Sequence, residues 1–124
     1  MTSLAIVGSR SFNNYELLKE TIDQFYPISS DITEIVSGGA KGADTLAERY
    51  AKEKYIKMIR LSPKWRDKGV YNPRAGFDRN KDIVTRSGHV VAFWDGKSTG
   101  TRDSINHAKR MHKRLDVVNF NDKK

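Results

Sequence analysis

Ile32-Thr33-Glu34-Ile35-Val36-Ser37-Gly38-Gly39-Ala40-Lys41-Gly42-Ala43-Asp44 decides how the rest of the chain is read. It opens as a strand-like run, Ile32 to Val36, and passes into a glycine-rich turn. Beyond the turn, Ala43, Leu46, Ala47, Tyr50 and Ala51 recur at i, i+3, i+4, i+7 and i+8, the stripe of an amphipathic helix. A strand that delivers such a turn onto a helix N-terminus makes a seat for an anion. Exposed N–H groups and the positive end of the helix dipole attract it, and the glycines let it come close to the backbone. The small alanines imply close packing of the helix on a sheet.

The same unit recurs on both sides. Upstream, Leu4-Ala5-Ile6-Val7 is continuously apolar and ends at Gly8, the mark of a strand buried on both faces. After the turn Gly8-Ser9-Arg10-Ser11-Phe12, with Asn13 or Asn14 as cap, Leu18, Ile22 and Phe25 recur at helical spacing until Pro27. Downstream, Met58-Ile59-Arg60-Leu61 predicts a strand ended by Ser62-Pro63. From Lys64 to Gly76 the periodicity lapses. Trp65, Tyr71, Lys64, Arg66, Lys68 and Arg74, with Arg79 nearby, gather there around Gly69, Pro73 and Gly76 in a long excursion over the sheet edge. Phe77 to Arg86 predicts a short helix with Ile83 and Val84 inward, and Val90-Val91-Ala92-Phe93-Trp94 a buried strand. Asp95-Gly96-Lys97-Ser98-Thr99-Gly100-Thr101 is a second turn rich in glycine and hydroxyls. A helix with Ile105, Ala108 and His112 on one stripe follows, and Leu115 to Phe120 predicts a last strand before a polar tail from about residue 121. Alternating strands and helices predict a doubly wound α/β fold, a mainly parallel sheet of about five strands with helices on both faces.

Length and composition bound the rest. The 124 residues, 37% of them apolar, suffice for one domain over residues 1–124 and one modest core. No apolar run approaches the roughly 18 residues of a membrane span. Met1-Thr2-Ser3 leads straight into a strand without the basic and apolar segments of an export signal, so a soluble cytoplasmic protein is expected. Absence of cysteine excludes disulfides, thiolate metal sites and cysteine nucleophiles. The net charge of +8 and pI of about 9.8 suit a polyanionic partner. The charge is uneven: residues 1–50 carry four basic and seven acidic side chains, residues 51–82 ten and four, and residues 97–114 six and one. A nucleic-acid face is one reading of this pattern; a solvated surface with a phosphorylated ligand bound elsewhere is the other. Lys109, Arg110, Lys113 and Arg114 give the late helix a basic face. His89, His107 and His112 form no metal-binding pattern, and neither metal nor cofactor is expected.

In an open α/β sheet every βα turn emerges at one carboxyl edge, and ligands sit where the strand order reverses. With the first strand central, the turns at Gly8 to Ser11, Ser37 to Asp44 and Asp95 to Thr101 meet in one crevice. The first brings Ser9 and Arg10, the last brings the hydroxyls of Ser98, Thr99 and Thr101, and arginine can pair bidentately with phosphate. Asp44 and Asp95 lie on these turns, where a carboxylate also serves a helix N-terminus or caps a turn. The first turn lacks G-x-G-x-x-G. Gly96-Lys97-Ser98 ends like a Walker A loop but has Val91 where that motif begins, which excludes a P-loop NTPase.

Gly8-Ser9-Arg10, Ser37 to Asp44, Trp65 with Gly69, Ala75-Gly76, Arg79-Asn80 and Ser98-Thr99-Gly100-Thr101 together resemble the SLOG superfamily over nearly the whole chain, Leu4 to about Val118. The superfamily's name joins the DNA-processing protein Smf/DprA and the LOG enzymes, and the small, stand-alone YspA/YpsA-like branch is most similar. The resemblance implies a Rossmann-like fold, frequent oligomers, and a nucleotide-derived ligand: an ADP-ribose derivative, a nucleoside monophosphate or a cyclic signalling nucleotide. It places Gly8, Ser9, Arg10, Gly38, Gly39, Lys41, Gly42, Asp44, Trp65, Arg79, Asn80, Asp95, Ser98, Thr99, Gly100 and Thr101 around that ligand. LOG enzymes are phosphoribohydrolases that use an arginine before the fourth strand and a glutamate after the last turn. Arg79 matches the arginine. Ser104 stands where the glutamate falls, with Asp103 beside it as the candidate carboxylate and Asp44 and Asp95 on ligand-side turns as possible substitutes. Serine cannot stabilise or hydrate an oxocarbenium-like sugar at neutral pH. The resemblance to Smf/DprA implies a third possibility, single-stranded nucleic acid. The expected function is thus nucleotide-ligand binding, used for sensing or sequestering a signal in bacterial or phage conflict, with phosphoribohydrolase-like cleavage and single-stranded nucleic-acid binding as alternatives.

Overall fold

Strand β1 (Thr2–Gly8) runs through the middle of a five-stranded sheet whose order is β3-β2-β1-β6-β7, every pair parallel. Its neighbours are β2 (Ile32–Ser37) and β6 (His89–Trp94), with Leu4 opposite Ile35 on one side and His89 on the other. Strands β3 (Lys57–Arg60) and β7 (Arg114–Asn119) form the edges. The computed structural model describes residues 2–26, 32–38, 42–63, 66–67, 69–71 and 73–120. This is the doubly wound α/β architecture that the alternating pattern predicts.

Because successive side chains of a strand point to opposite faces, β1 feeds two separate cores. Leu4 and Ile6 pack with Phe12, Leu18, Ile22, Ala47 and Phe93 under α1 (Tyr15–Phe25) and α2 (Ala43–Glu53). Ala5 and Val7 pack with Ile83, Val84, Ile105 and Ala108 under α3 (Ala75–Arg86) and α4 (Thr99–Arg110). The first core is aromatic, with the Phe12 and Phe93 rings stacked at 4.7 Å; the second is aliphatic and small. Asn14 caps α1 by accepting from the Leu17 N–H at 3.0 Å.

The structure departs from the sequence pattern at three places. The excursion after β3 is not wholly irregular: Arg66–Asp67 (β4) and Val70–Tyr71 (β5) pair antiparallel as a minimal hairpin. Two-residue strands are too short to show a period, which is why none was legible. Phe25 is not core, being 36% exposed, because α1 ends there and the turning chain buries Tyr26 instead. His112 leaves the stripe of Ile105 and Ala108. The helix stops at Arg110, and His112 takes a left-handed φ of 56° in a C-terminal cap where the Lys113 N–H returns to Ala108 O at 3.0 Å.

Candidate functional site

Three βα turns converge at the carboxyl edge, where strand order reverses between β1 and β6. They enclose a crevice of about 530 Å³ with Val7 and Ile83 as its apolar floor and Arg10, Arg79, Asn80 and the start of α4 around it.

The β1 and β6 turns are tied together by hydroxyls. Ser9 is buried, its N–H donates to Phe93 O at 2.9 Å, and its Oγ accepts from the Asp95 N–H at 3.2 Å and lies 2.9 Å from Ser98 Oγ. Asp95 Oδ1 accepts from the N–H groups of Lys97 and Ser98, both at 2.8 Å, and from Ser98 Oγ at 2.9 Å. Those donors, the Ser98 N–H foremost, hold its carboxyl down to about 2. Asp95 borders the crevice, but its bonds serve the turn. Among the described residues no side chain caps α4, and Thr99, Gly100 and Thr101 of its first turn border the crevice.

On the opposite wall, Ser37 Oγ lies 2.9 Å from Ile6 O and 2.7 Å from Asp44 Oδ1, sharing one hydroxyl hydrogen between β1 and the first turn of α2. Gly42 has φ +79°, and a Cβ there would collide with the Ser9 carbonyl oxygen. At Gly38 an added Cβ would strike the Arg79 guanidinium. That guanidinium reaches across from α3: Nη1 donates to Gly38 O at 3.1 Å and Nε to Asn80 Oδ1 at 3.1 Å. Burial lowers its pKa and the neighbouring Arg10 adds to this, while Asp44 opposes it. Asn80 Nδ2 in turn donates to Gly100 O at 3.2 Å and to Asp103 Oδ2 at 3.3 Å, linking α3 to α4.

Gly8, Ser9, Arg10, Asp44, Arg79, Asn80, Asp95, Ser98, Thr99, Gly100 and Thr101 all border the crevice, as the convergence of turns requires. Gly38 and Gly42 support it from behind, through Arg79 and Ser9. Gly39, Lys41 and Trp65 lie outside the described residues. Asp103 does not border the crevice; its Oδ2 faces Asn80 and, at 3.3 Å, His107 Nε2. Ser104 does border it, 2% exposed, with Oγ donating to Gly100 O at 3.4 Å. Ser11 borders the crevice with the rest of its turn, whereas sequence reading missed Val7 and Ile83. Ile83 was within reach, since it falls three and four residues after Asn80 and Arg79 on one helical face.

These features define a Rossmann-like α/β domain with a mixed cationic and hydroxyl-lined crevice at its switch point. Residues 2–67 match the YspA, cpYpsA-related SLOG family (YAcAr), and the chain belongs to that family. Over 126 residues it is 29% identical to the Gene 61 protein of Mycobacterium phage D29, covering 99% of both chains. Its fold is similar to that of DNA processing protein A from Helicobacter pylori, whose single-stranded DNA binding mode has been described structurally (TM-score 0.72, 22% identity, 94% of this chain and 64% of that one). It is similar also to DprA from Streptococcus pneumoniae (TM-score 0.75, 19% identity, 94% and 50%) and to TM1055 (TM-score 0.63, 17% identity, 93% and 72%). The chain thus spans half to two thirds of the two DNA-processing proteins. Among the described residues no helix is long and apolar enough to cross a membrane.

Proposed function

We propose that the protein binds a nucleotide or nucleotide-derived ligand, such as a nucleoside monophosphate, an ADP-ribose derivative or a cyclic nucleotide, and releases it uncleaved. The observation that carries this reading is the meeting of Arg10, Arg79 and the uncapped start of α4 around one crevice of about 530 Å³. Arginine forks and a bare helix N-terminus both favour phosphate, and the volume is that of a small-molecule site. Val7 and Ile83 offer the less polar part of a ligand an apolar surface. The carboxylates support binding without cleavage: Ser104 stands where LOG enzymes carry the glutamate, Asp95 serves its turn, Asp103 faces away to Asn80 and His107, and Asp44, which borders the crevice, accepts from Ser37 Oγ. Sensing or sequestering a nucleotide signal is the use such a site fits, and the likeness to a phage protein agrees with a role in bacterial and phage conflict.

A second reading has its own support. The Helicobacter pylori protein of like fold binds single-stranded DNA, and this chain carries a charge of +8. In that case the crevice would hold one phosphate of a strand, with α4 offering further cations. Incubation with nucleoside monophosphates, NAD and ADP-ribose, followed by melting and by chromatography of released base, separates the readings. A true ligand at a hundredfold excess over its Kd adds about 2.7 kcal/mol of stability and returns intact. Base release that disappears in Arg79→Ala would instead establish hydrolysis. Indifference to every small ligand, with oligo-dT binding that falls steeply with salt, would move the function to the strand.

A further inference from the structure

A chain of hydrogen bonds leaves the crevice through Asn80 and ends on the outer face of α4. Arg110 Nη2 lies 2.7 Å from His107 Nδ1. A guanidinium has only donors, so Nδ1 must accept, and the hydrogen of the neutral imidazole is on Nε2. Nε2 is 3.3 Å from Asp103 Oδ2, and the same oxygen accepts from Asn80 Nδ2 at 3.3 Å. The His107 and Asp103 side chains are only 12% and 23% exposed. Asn80 is itself buried, and its Nδ2 also donates to Gly100 O at 3.2 Å.

With its amide nitrogen claimed twice, the Asn80 side chain cannot turn over. Its Oδ1 is therefore presented to Arg79 Nε at 3.1 Å, while Arg79 Nη1 is fixed on Gly38 O. The guanidinium is thus oriented from two sides, and the remainder of its fork is left for an anion. Were Asp103 removed, the Gly100 carbonyl alone would hold the amide nitrogen, and the weaker hold on Asn80 would loosen the orientation of Arg79.

We infer that Asp103 and His107 are positioning residues that orient Arg79 through Asn80, without touching the ligand themselves. This deepens the binding reading and rests on the crevice being the ligand site. It gives Asp103, the candidate carboxylate of a phosphoribohydrolase-like reaction, a different task. Its acceptor capacity is what matters, so a neutral acceptor at this position suffices.

The test uses the full chain, with AMP and ADP-ribose as probes in calorimetric titrations. Asp103→Ala weakens binding about tenfold, the scale of one lost charge-assisted hydrogen bond. Asp103→Asn and His107→Gln each keep an acceptor or a donor in place and stay within about threefold of the parent. In an Arg79→Ala background, Asp103→Ala has no further effect, because the group it orients is gone. Asp103→Asn as damaged as Asp103→Ala, or the same cost in both backgrounds, would overturn the inference. If neither nucleotide binds the parent protein, the binding reading fails by itself. The positioning is then read without ligand from the Arg79 Nε–H signal in ¹H–¹⁵N NMR spectra. A signal shifted by Asp103→Ala and restored in Asp103→Asn upholds the inference, and one indifferent to Asp103→Ala overturns it.

Discussion

On the α1/α2 side of the sheet, Tyr15, Tyr26 and Tyr50 bury their rings and donate their hydroxyls to Glu53, Asp116 and Asp23 at 2.7, 3.0 and 2.7 Å. Burial, and then the hydrogen-bonded carboxylate, push all three phenols above their ordinary range. On the α3/α4 side, Arg79 and Asn80 are also hydrogen-bonded, yet their chain of donors ends at a crevice. Both layers hold polar groups among apolar ones; the first closes its three tyrosine hydroxyls on carboxylates of the protein, whereas in the second the Arg79 guanidinium borders a crevice. The aromatic core with Phe12 stacked on Phe93 belongs to the first layer, and the small aliphatic core of Ile83, Val84, Ile105 and Ala108 to the second. On the proposed function, stability and binding fall on opposite faces of one sheet, and substitutions can separate them.

The largest effect is expected in the aromatic layer. Phe12 is 1% exposed and its ring meets those of Phe93 and Phe120 at 4.7 and 4.8 Å. Phe12→Ala should cost about 3–5 kcal/mol of unfolding free energy in urea, from lost burial and an unfilled cavity. The crevice lies mainly on the other face, so nucleotide affinity measured well below the melting point should change little. A loss of affinity matching the loss of stability would break the division between layers.

Gly42→Ala tests the joint between them. The left-handed φ of 79° disfavours any side chain, and the Ser9 carbonyl stands where the Cβ would be. A cost of about 1–3 kcal/mol is expected. Because Ser9 also anchors the Asp95 turn, this substitution should lower stability and ligand affinity together. An intact affinity would mean that the α2 turn is merely structural.

Much of this division could be read from sequence, and the exceptions share a cause. Leu4 to Val7, Val90 to Trp94 and the glycine turns declared themselves because a buried parallel strand and a phosphate-seat turn are local patterns. Arg79 on Gly38 and Asn80 on Asp103 join residues 41 and 23 positions apart, so no spacing announces them. The His107 and Asp103 pair did have a local signal, i and i+4 on one helix. Weighing the three histidines only as a metal-binding pattern passes over it. Asp95 was legible in both of its readings, ligand-side and turn-capping, and the Lys97 and Ser98 N–H groups on its Oδ1 favour the second.

Asp95 supplies a subtler test through pH. Its carboxyl falls from 3.8 to about 2 on folding, chiefly through the Ser98 and Lys97 N–H groups. A group whose folded pKa is depressed stabilises the fold above its unfolded value, and that contribution drains away as pH falls through the folded one. Unfolding free energy should therefore decline between pH 3.8 and about 2, and Asp95→Asn should flatten this part of the acid limb in urea titrations. An unchanged slope would assign the acid sensitivity to the carboxylates of the tyrosine layer, such as Asp23 and Glu53, whose pKa values are also lowered.

The smallest change in stability makes the sharpest distinction. Gly100 sits in the first turn of α4, and a Cβ placed on it meets nothing within 4 Å. No left-handed backbone or close neighbour requires glycine there, and alanine is the better helix former by about 0.5–1 kcal/mol in a helix interior and by less near an end. Gly100→Ala should therefore leave the melting temperature unchanged or slightly higher. Yet Gly100 borders the crevice between Thr99 and Thr101, where an anion would approach the N–H groups. If the bare backbone serves that approach, the added methyl group lowers affinity for AMP and ADP-ribose while the fold is unharmed, the trade-off expected where a residue is kept for binding and not for packing. Stability and affinity that both stay put would move the anion away from the start of α4 and onto Arg10 and Arg79 alone.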